Sequence, residues 1–236
     1  MANKMKIAIG LLAGAIVLVS SAHAAVIVSK DASSSSLIPG LTGFVSTGAD
    51  MDGLKVTASF SGGFSQTLTW ADTGATSGGV SGTGWGLSLT GDTFTAPWSF
   101  TFTPGVTSLG LLSSLVLDAS AFGQITILDT TSPSSGSPGS ASGADFAILS
   151  GCATCDGTAV YSNAVGIDPD APVGDIFHTL MVTFDAGTGP GSDWSFRQDT
   201  DNDIRARTGF VPEPGSMALL GVALAGLGAT YRRRRS

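Results

Sequence analysis

The sequence is short of charge, and of positive charge above all. Only 12% of its 236 residues are charged, against about 25% in an average globular protein. No Lys or Arg stands between Lys55 and Arg197, and the only Glu is Glu213. A middle this poor in bases cannot neutralise a phosphate backbone, so no nucleic-acid partner is expected. Cysteine is limited to Cys152 and Cys155, and histidine to His23 and His178. That count excludes a histidine-based metal cluster. No Gly-x-Ser-x-Gly elbow occurs, and outside the two chain ends no convincing helical period appears.

What charge there is sits unevenly. The core from Ala25 to Val211 carries 17 Asp against Lys30, Lys55, Arg197, Arg205 and Arg207, while six bases, Lys4, Lys6, Arg232, Arg233, Arg234 and Arg235, occupy the ends. The net charge of −7 is thus a strongly acidic middle masked by basic termini.

The N-terminal end reads as a secretory signal over residues 1–24. Lys4 and Lys6 precede an apolar stretch from Ile7 to Val19, and Ala22 and Ala24 frame a small-x-small cleavage site with Ala25 as the new N-terminus. The C-terminal end has three parts in order. Val211, Pro212, Glu213 and Pro214 make an extended, accessible segment, because two prolines deny it helix or strand pairing. An apolar run at about 215–231 then approaches the length of a membrane span. Arg232, Arg233, Arg234 and Arg235 close the chain as a stop-transfer cluster that holds the terminus in the cytoplasm.

This tail, residues 210–236, resembles the PEP-CTERM sorting signal in its Val-Pro-Glu-Pro form. The resemblance implies a Gram-negative bacterium that makes exopolysaccharide and carries an exosortase, the membrane protease thought to process the motif. Pro212, Glu213 and Pro214 would be its recognition residues. It implies nothing about the middle of the chain, including the ice-binding name sometimes attached to such tails.

Residues 25–209 are long enough for one domain with its own core. Apolar residues alternate with Ser, Thr and Gly in Leu54–Phe60, Trp85–Thr90, Trp98–Thr103 and Leu180–Phe184, which is the period of half-buried antiparallel strands. The fold class expected is all-β, an antiparallel, jelly-roll-like β-sandwich of about eight to twelve strands. An N-terminal signal helix and a C-terminal transmembrane helix flank it. Leu109–Leu117 reads equally as a weak helix or a buried strand. Thr130–Gly143, rich in Ser, Gly and Pro, reads as a flexible loop inside the domain, and Ser33–Ser36 as mobile.

Few residues in the middle suggest chemistry. Cys152 and Cys155 fit a local disulfide in an exported chain. His178 shares its strand parity with Leu180 and Val182, which points to a structural histidine. Asp199, Asp201 and Asp203 alternate as oxygen ligands do in the first half of an EF-hand loop. Ile204 and Phe210 break the rest of that pattern, so a partial Ca²⁺ loop is the alternative to a solvated acidic turn, and no other cofactor is expected. Thr67 with Thr69, Thr93 with Thr95 and Thr101 with Thr103 read as pairs on single strand faces, without a solenoid period. Trp70, Trp85 and Trp98 offer sugar-stacking platforms only if exposed.

The expectation is therefore a non-catalytic bacterial protein, exported with signal peptidase and exosortase as processing enzymes. It would be anchored by its C-terminal helix as a precursor, then released to the cell surface or exopolysaccharide matrix of the biofilm in a structural or adhesive role. The alternative is a carbohydrate- or calcium-binding lectin-like module; a secreted hydrolase and an ice-binding protein rank below both.

Overall fold

The computed structural model describes residues 26–32, 35–37, 46–103, 106, 108–120, 126–131, 143–152, 154–167, 171–189 and 193–202. The signal segment 1–24 with its expected helix, most of the 130–143 loop and the whole of 210–236 with its expected transmembrane helix lie outside them.

Alternation makes the strands. In β3 (Lys55–Phe60), Val56, Ala58 and Phe60 are buried while Lys55, Thr57 and Ser59 face outward. The same rule builds β7 (Trp85–Thr90) and β8 (Trp98–Phe102), whose Trp85, Leu87, Leu89, Trp98, Phe100 and Phe102 all point inward. Leu112–Asp118 is a strand, β9, so the helical option for that segment gives way; Leu115 and Leu117 are buried and Val116 turns outward.

The remaining strands are β1 (Val26–Lys30), β2 (Ser35–Leu37), β4 (Ser65–Thr69), β5 (Ala71–Gly74), β6 (Ser77–Ser81), β10 (Thr126–Asp129), β11 (Ala147–Ser150), β12 (Gly157–Gly166), β13 (Ile176–Thr188), β14 (Trp194–Arg197) and β15 (Asp199–Asn202). The only helix among the described residues is a single 3₁₀ turn, Gly48–Asp50, closed by a capping box between Thr47 and Asp50.

Two sheets result. The larger runs β1-β12-β13-β9-β3-β4, with β2 beside β12 and β10 carrying β15 beside β13. The smaller runs β11-β14-β8-β7-β6-β5, of which β5 to β8 form a meander. One apolar cluster draws on both sheets, with Phe60 against Phe102 at 6.2 Å and Phe184 against Trp194 at 5.5 Å between ring centroids. Large rings buried here contribute about 1.5–3 kcal/mol each relative to exposure, which makes this interior the main source of stability.

Two expectations need correcting. The sandwich is not antiparallel throughout, because β1 and β2 run parallel to β12. Ser35 and Ser36, expected to be mobile, lie in β2. The Ser/Gly/Pro excursion leaves and returns at one point, for the Gly143 N–H donates to the Thr130 carbonyl at 3.2 Å. Leu128 before it and Phe146 after it share the same core.

Candidate functional site

The chain leaves the described domain at Asn202, the end of β15. Nine residues on stands Val211, so the extended reach from the last strand to the sorting segment is at most about 32 Å. Val211, Pro212, Glu213 and Pro214, the arginine cluster, and Ala22, Ala24 and Ala25 at the other end all lie outside the described residues. At the N-terminal end β1 begins at Val26, directly after Ala25.

The acidic segment before the tail is not a turn. Asp199–Asn202 is a strand, paired antiparallel with β10 so that Asp199 faces Asp129 and Asp201 faces Ile127. All four of its residues are buried. Asp199 is held by the protein itself: Thr93 Oγ1 donates to its Oδ1 at 2.7 Å, and the Thr200 N–H donates to the same oxygen at 2.8 Å. Burial pushes its carboxyl above the ordinary value, and these two donors work against that shift. Asp203, the third expected ligand, lies outside the described residues. Among the described residues no group of three or more His, Cys, Asp or Glu could hold a metal ion.

Gln198, which nothing in the sequence singled out, is the hub beside it. Its Nε2 donates to the Asp199 carbonyl at 2.7 Å and to the Asp129 carbonyl at 3.2 Å, while its own carbonyl accepts from Trp98 Nε1 at 2.7 Å. The Tyr161 hydroxyl donates to Gln198 Oε1 and accepts from the Phe146 N–H at 2.7 Å. Desolvation raises the Tyr161 hydroxyl far above its ordinary range, so it stays a neutral donor. One Gln thus ties both sheets to the strand that precedes the tail.

The other candidates fall into place around the core. Cys152 and Cys155 are bonded to each other, and Cys155 is fully buried. His178 is 3% exposed within β13, and burial lowers its pKa against the opposing pull of Asp118. Trp70, Trp85, Trp98 and Trp194, all the tryptophans of the chain, are buried, so none is a stacking platform. Thr67 and Thr69 do lie on an outer face, where Thr67 and Thr57 share a hydroxyl hydrogen bond of 2.7 Å.

The described residues form a two-sheet β domain that stands ahead of the C-terminal tail. Residues 210–235 match the family model described as the PEP-CTERM protein-sorting motif. The motif implies processing by an exosortase and sorting to the cell surface or beyond it. No curated protein and no solved structure matches the chain.

Proposed function

We propose that this chain is a non-catalytic matrix or surface protein: a β-sandwich that an exosortase releases from its membrane anchor and that serves a structural or adhesive role within exopolysaccharide. The observation that carries the reading is the sorting motif at residues 210–235, joined to the last strand at Asn202 by only a few residues. Whatever the tail delivers is therefore the folded domain itself. Cleavage after Ala24 and a single span at about 215–231 belong to the same reading. The non-catalytic part is supported by His178, which is sealed within a strand.

The test is mass spectrometry on protein from a host with an active exosortase, with fractionation of cells and matrix. The expected mature form begins at Ala25, lacks Arg232 to Arg235 and follows the matrix when polysaccharide is removed. A mature form that keeps the arginine cluster overturns the processing; one that ignores the loss of polysaccharide overturns the matrix role.

A further inference from the structure

The first described strand has little apolar hold. In β1 only Val26 and Val28 pack against the core, both partly buried, while Ile27 stands 70% exposed. The strand lies at the edge of the larger sheet, bonded on one side to β12. Charge fastens its far end. Lys30 Nζ pairs with Asp145 Oδ1 at 3.0 Å and donates to the Thr131 carbonyl at 2.8 Å.

The near end meets charge of one sign. Val26 stands beside Gly157 of β12, and Gly157 beside Phe184 of β13. One step further out, the Asp185 N–H donates to the Asp156 carbonyl at 2.8 Å, so these two residues face each other across the strands. Both are exposed, and alternation from buried Gly157 and Phe184 turns both side chains to the outer face. Like charges directly opposite on one face repel. The described Lys and Arg residues stand elsewhere. Lys30 is engaged by Asp145, and Arg197 lies in β14 of the other sheet. Lys55 stands in the row of Thr179, about 20 Å along β13 from Asp185.

We propose that the α-ammonium made by signal cleavage supplies the cation: on the mature chain it pairs with Asp156, offsets the repulsion from Asp185 and locks β1 onto β12. The inference rests on the reading that the chain is cut between Ala24 and Ala25. With β1 starting at Val26, a single residue then separates the new terminus from the strand. Parallel register sets the position ahead of Val26 beside Asp156, one strand spacing of about 4.8 Å away. Hydrolysis of the Ala24–Ala25 bond consumes one water and leaves a carboxylate on Ala24 and an amine on Ala25. That amine is mostly protonated at neutral pH, since an α-amino group titrates near about 7.7–8.0. Before the cut the same nitrogen is a neutral amide. Signal removal therefore gives β1 an ion pair at each end. A loose β1 would bare the backbone of β12 as an open sheet edge, so the lock also guards the exported domain against unwanted strand addition.

The test cuts the full precursor in detergent with signal peptidase and follows hydrogen exchange of the backbone amides of residues 27–31 before and after. Exchange is expected to slow about two- to fivefold on cleavage, the range of an exposed ion pair. Acetylating the new α-amine is expected to restore the faster rate, and Asp156→Asn to abolish most of the gain. Asp145→Asn is expected to speed exchange in cut and uncut chains alike. No slowing in a chain cut after Ala24 overturns the proposal, as does slowing that survives acetylation and Asp156→Asn. A chain that the peptidase cuts elsewhere, or not at all, overturns the cleavage reading and the inference with it; the mass of the product tells the two failures apart.

Discussion

Thr93 and Asp199 are joined by a buried hydrogen bond of 2.7 Å across 106 residues of sequence. It pins the turn after β7 to β15, the last strand among the described residues. Thr93 also meets the Thr200 carbonyl at 3.2 Å, so one hydroxyl secures two consecutive residues of β15.

Removing that hydroxyl is expected to be costly. Thr93→Val keeps the shape and strips a donor from a buried carboxylate, which should destabilise the chain by about 1–3 kcal/mol. Thr93→Ser keeps the donor and should cost under about 1 kcal/mol for the lost methyl. Denaturant unfolding of the two variants checks the difference; equal losses would make the site a packing contact only.

Asp199 should leave a mark on the pH profile. Its carboxyl pKa is raised in the fold, by burial first. The folded chain therefore holds the proton more tightly than the unfolded one, and stability falls as pH rises from the ordinary carboxyl range through the folded value. Asp199→Asn keeps an oxygen for Thr93 and Thr200 and should flatten that decline, with the variant gaining on the parent toward neutral pH. Melting temperature measured across pH reads it directly.

His178 bears the opposite sign. Its pKa is lowered from 6.5, chiefly by burial. Its contribution is present above 6.5 and is lost as pH falls through the folded value, because the unfolded chain takes up the proton first. His178→Gln should remove that acid loss, at most about 1.4 kcal/mol per pH unit. An unchanged slope below 6.5 would show that the histidine does not titrate on unfolding.

Gly78 carries a steric constraint. A Cβ there would stand 2.0 Å from the Gly48 carbonyl oxygen and 2.2 Å from Trp70 Nε1, the two atoms joined by a 2.8 Å hydrogen bond. Both neighbours are fixed, one by the backbone and one by the core. Gly78→Ala should cost at least about 1–3 kcal/mol, whereas Gly63→Ala meets no atom within 4 Å and answers only to its φ of +83°. Urea midpoints of the pair separate clash from backbone strain.

The inward face of the sandwich was legible because Trp98, Phe100 and Phe102 alternate with small polar residues, and alternation survives any strand order. Direction was not legible. The parallel partner of Val26 is Gly157, and nothing in a strand's period says which way its neighbour runs. β15 was misread as a turn for a different reason. Asp, Thr, Asp and Asn form a poor strand by propensity, and it is the pairing with β10 and the grip of Thr93 and Gln198 that extend it. The tail needed no fold, since its signal lies in the order of proline, apolar run and arginine.

That strand also bears on calcium. A turn gathers oxygens around one ion at about 2.3–2.6 Å, whereas alternate residues of a strand stand about 6.6 Å apart along it. Asp199 already spends one oxygen on Thr93 and on the Thr200 N–H. Calcium is therefore expected to give no saturable heat in calorimetry of the full chain, and a chelator to leave the melting temperature unchanged. A chelator-sensitive transition abolished by Asp203→Asn, with Asp201→Asn as comparison, would mean that the segment beyond Asn202 completes a site that β15 alone does not shape.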